Sequence, residues 1–292
     1  MTVAAVVLSW NGREDTLACL RSLLDEEVEA IVVDNASTDG SAEAVAREFP
    51  DVELIRNSEN LGYAGGMNTG IRRALERGAD HVLVLNNDVE LEPGAVRALV
   101  AEADGAGAVC PLITFASDPE IVWYAGAPFD PRRGYNGRHR GFGRPAGQFT
   151  DVAETDRACG AAMLIPRAAL EQVGLFDEDL FAYAEDTDWS LRARKAGFPV
   201  RVVPGARVRH KVSATTGGEG SETALYYGVR NTLTVCERHA PLGRLGTWCR
   251  RAVILLAHAA QALLARRPSR LRAVLAGWRD FSARRRGARR PA

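Results

Sequence analysis

The chain has 292 residues, 46% hydrophobic and 25% charged, the proportions of an ordinary soluble protein with room for one large α/β domain or a domain with an appendage. Its 37 basic and 37 acidic residues cancel unevenly: from Arg238 onward fourteen Arg face a single acid, Asp280, so this tail carries +13 and residues 1–237 carry −13. An acidic body with a basic tail suits a visit to an anionic surface, and with no recognition module visible it argues against nucleic acid as a partner.

The first hundred residues alternate between two periods. Val3 to Leu8 is a continuous apolar run of strand length, and Arg13 to Leu24 sets Leu17, Leu20, Leu23 and Leu24 at helical spacing. The pattern then predicts strands at 30–33, 52–55 and 82–85, with helices at 39–49, 64–77 and 93–102, the last with Pro93 near its first position. Short strands separated by helices predict a doubly wound α/β fold, a mainly parallel central sheet with helices on both faces. From Ala108 the alternation loosens, and residues 131–149, rich in Gly, Arg and aromatics, read as a loop, either functional or mobile. Gly160 to Pro166 and Val200 to Val208 read as strands, with a helix between them over "EDTDWSLRARKAG".

The tail from Leu242 reads as Arg-rich helix. Its apolar stretch, Ala252 to Ala265, is fourteen residues long and flanked by Arg250, Arg251, Arg266 and Arg267. No apolar run reaches the length of a spanning helix, and the apolar start lacks the basic n-region of a signal peptide. The five cysteines (Cys19, Cys110, Cys159, Cys236 and Cys249) form no C-x-x-C pair, as expected of reduced thiols in a cytoplasmic protein.

In sheets of this kind ligands bind beyond the carboxyl ends of the strands, and the polar clusters lie there. The first strand ends in "SWNG" from Ser9, the second in "DNASTDG" from Asp34, and the third is followed by "NSENLGYAGGMN" from Asn57. The fourth runs into Asn86, Asn87 and Asp88. Each cluster alone is also what turns and helix caps need; all of them on one sheet edge point to a shared site. Asp34 can accept from a base N–H or a ribose hydroxyl. Gly62, Gly65 and Gly66 let backbone approach a phosphate or base closely, although the stretch matches neither the dinucleotide nor the P-loop pattern. Asp88 suits Mg2+ or Mn2+, which take one or two carboxylates and fill their shell with water and substrate phosphate. Glu185, Asp186 and Asp188 stand at a helix start, where acids serve as caps or as a general base. His210 ends the last strand as a packing histidine or a ligand.

In order, "VVLSWNG", "VVDNASTDGS", "NLGYAGGMNTGI", "VLVLNNDVEL", "CGAAMLIPRAALEQVGLFDEDLFAYAEDTDWSLRARKAG" and "VPGARVRHK" resemble the family-2 glycosyltransferases of the GT-A fold, nearest the bacterial rhamnosyltransferase-like branch, over residues 3–235. The resemblance implies an inverting transfer of a sugar, L-rhamnose from dTDP-rhamnose in this branch, to a hydroxyl of a saccharide, lipid-linked saccharide or natural-product acceptor. It implies Ser9, Asn11 and Asp34 on the nucleoside, with Asn60, Gly62 and Asn68 in the loop around it. Asp88 would hold Mg2+ or Mn2+ on the diphosphate beside Asn86 and Asn87, with His210 as second ligand or diphosphate contact. Asp186 would be the base with Glu185 next to it, and Gly160 to Met163 the wall of the sugar pocket.

The implied organisation is a glycosyltransferase domain over 1–237, with a nucleotide-binding half (1–105) and an acceptor half (106–237), followed by the helical region 238–292. One departure stands out: the family's D-x-D is here Asn86-Asn87-Asp88, without the first carboxylate. Two alternatives follow, a catalytically inactive scaffold of the same fold and a nucleotidyltransferase, for which only Arg13 supplies a basic residue after the first strand. The tail either packs on the core or makes a peripheral contact with the inner face of the membrane through residues 242–290.

Overall fold

The computed structural model describes residues 1–130, 139–212, 221–264 and 267–289. Its first part alternates as the periodicity predicts: β1 (Val3–Ser9), α1 (Arg13–Ser22), β2 (Glu29–Asp34), α2 (Ser41–Glu48), β3 (Glu53–Arg56), α3 (Gly62–Glu76) and β4 (His81–Asn86). These strands pair in the order β3-β2-β1-β4, all parallel, with Ser9 level with Asp34 and Leu8 with Asn86. Every residue of β1 is buried, which is why it reads as an unbroken apolar run rather than an alternating one. Helix α3 seats directly on this layer through Gly70, where a Cβ would stand 2.2 Å from Val6 Cγ1.

After β4 come β5 (Val89–Leu91) and α4 (Ala95–Ala101). Pro93 lies outside α4, because Gly94 at φ +81 makes the left-handed turn that opens the helix. The remaining body is β6 (Ala108–Phe115), β7 (Asp118–Tyr124), β8 (Ala153–Thr155), β9 (Ala162–Pro166), α5 (Arg167–Val173), α6 (Glu185–Lys195) and β10 (Val200–His210). Strand β10 runs parallel to β6, whereas β9 inserts antiparallel between β4 and β6. Strands β5 and β8 lie antiparallel to β10, and β7 to β6. The ten-stranded sheet is therefore mixed: the parallel expectation holds through its first four strands and at β6–β10, and not at its other pairings. Geometry explains part of the difference. β5 and β7 each follow a parallel strand after two residues, far too few for a crossover, so the chain must run back.

Of the loop expected at 131–149, residues 131–138 lie outside the described residues. The rest is pinned along β7, with Gly143 N–H donating to Val122 O (2.8 Å) and Phe149 packed against Leu112, Val122, Ala125 and Ala146.

The chain closes with α7 (Glu222–His239), α8 (Arg244–Leu264) and α9 (Pro268–Ser282). They share a second core built on Tyr226, Val229, Leu233, Ile254, Val274 and Phe281. The boundary expected at 237/238 therefore falls in the last turn of α7, a helix that packs with α8 and α9 as one unit. Two buried polar groups bolt the unit together: Tyr226 donates its hydroxyl to Asp280 Oδ2 (2.7 Å), and Arg230 donates to Gly287 O (2.6 Å) and Leu180 O (3.0 Å).

Candidate active site

The carboxyl edge of β1, β2 and β4 and the start of α6 face one cavity of about 510 Å³, lined by Asn35, Asn60, Asn86, Asp88, Asp186 and His210 among others. Its size is that of a small-molecule site. Asn35, just past β2, ties its walls together. Its Nδ2 donates to Asn60 Oδ1 (2.9 Å) and Gly62 O (3.0 Å), and its Oδ1 accepts from Asn57 Nδ2 (3.0 Å) and Leu61 N (3.1 Å). Gly62, at φ +73, can only be glycine, since a Cβ there would stand 2.4 Å from Phe181 O.

At the tip of β4, Asn87 and Asp88 are the two residues that turn the chain into β5. Asn87 Nδ2 donates to Asn11 O (2.8 Å) and Thr16 Oγ1 (3.0 Å), fastening this tip to the end of β1. Strand pairing then brings the end of β10 alongside: His210 is level with Val89, and Lys211 N–H donates to Asp88 O (3.0 Å). His210 Nε2 consequently stands 3.2 Å from Asp88 Oδ1, both side chains buried. Trp123 packs edge-on against His210 and against His139, with ring centroids 4.5 and 4.6 Å away. Burial, with Arg157 nearby, pushes the His139 imidazole down to about 4, so it is neutral at pH 7.

The start of α6 is held under backbone strain. Phe181, Tyr183 and Ala184, none of them glycine, have φ of 64, 66 and 76, a conformation that costs on the order of 1 kcal/mol or more at each position. Asn231 of α7 holds the turn by donating Nδ2 to the carbonyls of Leu180, Ala182 and Tyr183 (2.8, 2.8 and 2.7 Å). Phe181 O also accepts from Ala64 N (3.0 Å), and the Phe181 ring stacks on Tyr227 at 5.3 Å. Asp186 is thereby fixed with Oδ2 accepting from Gly160 N (3.0 Å) and Oδ1 from Thr187 N (2.6 Å). Tyr63 steadies the same point by donating its hydroxyl to Gly160 O (2.5 Å).

The flanking acids differ from each other in surroundings. Burial, and then the neighbouring Asp186, push Glu185 well above the usual carboxylate range. Asp188 is also buried, but His239 (2.8 Å), Arg192 (2.8 Å) and Arg238 (2.7 Å) hold it well below that range. This anchor locks the first turn of α6 to the end of α7.

Of the residues expected from the sequence, Asn60, Gly62, Asn86, Asn87, Asp88, Glu185, Asp186 and His210 all line this cavity. Ser9, Asn11 and Asp34 stand behind them. Ser9 Oγ lies 3.0 Å from Thr16 Oγ1, Asn11 Oδ1 accepts from Thr38 N (2.9 Å), and Asp34 Oδ2 accepts from Ser37 N (3.2 Å). Asp34 Oδ1 is buried with no hydrogen-bond partner among the described residues. Asn68 is turned away: its amide donates to Phe176 O (2.9 Å) and Glu178 Oε1 (2.8 Å) and accepts from Phe176 N (3.0 Å), so it braces α3 instead of lining the cleft. The sequence reading did not single out Tyr63, Trp123, His139, Arg157, Thr232 or His258, which also line the cavity. Trp123, His139 and Arg157 belong to no polar cluster at a strand end, and Thr232 and His258 sit inside helices; Tyr63, within "NSENLGYAGGMN", and Asn35, within "DNASTDG", were findable.

Comparison with known proteins agrees with this geometry. The profile of glycosyl transferase family 2 matches residues 4–174. An N-acetylglucosaminyl-diphospho-decaprenol L-rhamnosyltransferase of Mycobacterium tuberculosis is 31% identical over 250 residues, covering 78% of this chain and 80% of that protein. The dTDP-rhamnosyl transferase RfbF of Shigella flexneri is 25% identical over 249 residues, 82% of each. Among solved structures, GalNAc-T7 with UDP, GalNAc and Mn2+ superimposes with a TM-score of 0.61 at 19% identity, a likeness of fold. It covers 79% of this chain and 47% of that one, so the chain spans about half of GalNAc-T7.

Proposed function

This chain belongs to glycosyl transferase family 2, in its rhamnosyltransferase branch, and on that premise we propose that it moves L-rhamnose from dTDP-rhamnose, with inversion, to a hydroxyl of a saccharide acceptor. The mycobacterial relative's name describes a lipid-diphosphate-linked acceptor, and a lipid-linked saccharide is the acceptor class proposed here. The reading rests on a single cleft that holds the Asp88–His210 pair and the fixed Asp186 carboxylate together at the ends of the nucleotide-side strands.

The residues divide the work. Asp34, with one oxygen lacking a partner, accepts from the nucleoside, and the Asn35–Asn60–Gly62 network sets the wall beside it. Asp88 and His210 fit Mg2+ or Mn2+: His210 Nδ1 is buried without a hydrogen-bond partner among the described residues, and one carboxylate with one imidazole leaves the remaining positions to phosphate oxygens and water. Held there, such an ion would supply positive charge to the departing diphosphate. Asp186 takes the proton of the acceptor hydroxyl as that oxygen attacks the anomeric carbon from the side opposite the leaving group, which inverts the centre. Glu185, its carboxyl raised by burial and by Asp186, is poorly suited to act as a second nucleophile, which accords with a single displacement.

A scaffold without catalysis would have no use for three strained residues that aim Asp186. A nucleotidyltransferase would need Arg13 on the phosphates, and Arg13 instead bonds Glu14 (3.0 Å) and is absent from the cleft lining.

The test joins calorimetry with product analysis. dTDP should bind in a Mg2+- or Mn2+-dependent manner and lose binding in Asp88→Ala. Asp186→Asn should bind dTDP as the wild type does while kcat drops by about 10²–10⁴-fold. Preference for UDP or GDP would replace the donor, and failure to bind any of the three would overturn the reading.

A further inference from the structure

Helix α8 is built inside out. Leu245, Trp248, Leu256, Leu263 and Leu264 are 77%, 69%, 69%, 62% and 85% exposed, and their spacing puts them on one broad arc of the helix. Its charges face the other way. Arg250 is buried and donates to Ala240 O (2.5 Å), while Arg251 is held by Glu237 (2.7 Å) and lies over the Phe281 ring at 5.3 Å. No other charged residue falls between Leu245 and Leu264. A surface helix of a soluble protein shows the reverse pattern, and a continuous apolar strip about 30 Å long is more than such a surface leaves uncovered.

The charges around the strip choose what covers it. Arg244 stands in the first turn of α8, Arg267 just beyond its last, and Arg270 and Arg272 in the first turns of α9. None of these four has an acidic partner among the described residues. Packing this face on a second copy would set one +13 tail against another. An anionic lipid surface supplies both missing halves, acyl chains for the leucines and headgroups for the arginines. Among the described residues no helix is long and apolar enough to cross a membrane, so the geometry suits lying on a bilayer rather than spanning one.

We propose that α8 docks in the plane of an anionic lipid bilayer, with Leu245, Trp248, Leu256 and Leu263 in the acyl boundary and Arg244 and Arg267 on headgroup phosphates. The inward face of the same helix reaches the catalytic cleft: His258 lines it together with Thr232 of α7. The cleft wall thus stands about one helix diameter, ~10 Å, from the bilayer. On the sugar-transfer reading, a saccharide on a lipid diphosphate would be glycosylated without leaving the membrane.

The experiment uses the full chain with phosphatidylcholine vesicles, with and without phosphatidylglycerol. The wild type should sediment with the anionic vesicles and be released by salt. Its fluorescence should shift to the blue on binding, and this shift should be absent in Trp248→Phe, which still binds. Leu256→Glu/Leu263→Glu should weaken vesicle binding at least about tenfold while binding dTDP as before, which separates docking from misfolding. Wild type that stays in solution with anionic vesicles would overturn the proposal, as would a double variant that binds them equally well. A dimer dissolved by the double variant in sedimentation velocity would overturn it too, assigning the face to a second copy. Loss of nucleotide binding with vesicle binding intact would overturn the sugar-transfer reading alone.

Discussion

Glu185 and Asp186 are adjacent in sequence and unlike in circumstance. Asp186 is fixed by two backbone N–H donors at the cleft, whereas burial and the Asp186 charge raise Glu185 well above its ordinary 4.5. An acid whose folded pKa is raised contributes stability that is whole below its unfolded pKa and lost as pH climbs toward the folded value. Glu185→Gln abolishes that loss. Calorimetry should find its thermal midpoint above wild type at pH 8 and level with it near pH 4; equal midpoints at both would mean Glu185 ionises freely in the fold. At this scale the strand-end residues were the legible part, because four clusters of Asn, Asp and Gly, each usable as a turn or cap, fall together on one sheet edge. Asn68 shows the limit: it shares the Gly-rich motif with Gly62 yet lies on the face of α3 that meets 176–178, and motif membership says nothing about which way a helical side chain points.

Elements matter here through the grip of α7 on the turn before α6. Asn231 satisfies three carbonyls of a turn whose φ values are strained, and Asp188 ties α6 to Arg238 and His239. Asn231→Ala leaves those carbonyls buried and the strain unopposed. It should cost about 2–4 kcal/mol in a urea melt and lower kcat more than it raises the donor KM; an unchanged kcat would mean the turn holds its shape alone. The strands and helices of residues 1–105 were readable because each element carries one clear period. The antiparallel insertion of β9 was not: its short apolar run says strand but carries no information about direction or neighbour. Nor was the α7 grip, which depends on a side chain in mid-helix meeting a loop about fifty residues earlier.

Across the whole molecule, the acidic body and basic tail are joined by a shared core instead of a linker. Arg230 reaches from α7 to both Leu180 and Gly287, and α7 packs on α8 and α9 while holding α6. Removing residues 241–292 would strip Tyr226, Val229 and Leu233 of their packing partners in α8 and α9 and leave Arg230 a buried charge with fewer acceptors. The truncated chain should melt below the full chain and lose transfer activity, whereas a chain with an independent tail would keep both. Charge counting revealed the asymmetry between body and tail, but could not reveal that α7 packs with α8 and α9 around one core. The fork at the end of β4 has a last consequence. Asp88 and His210 are neighbours because ladder bonds align the β5 and β10 backbones, through Val89 opposite His210 and Lys211 N–H on Asp88 O. Their meeting point is thus an address kept by main chain, so exchanging either side chain would alter the chemistry presented to the cleft while leaving the place of the offer unmoved.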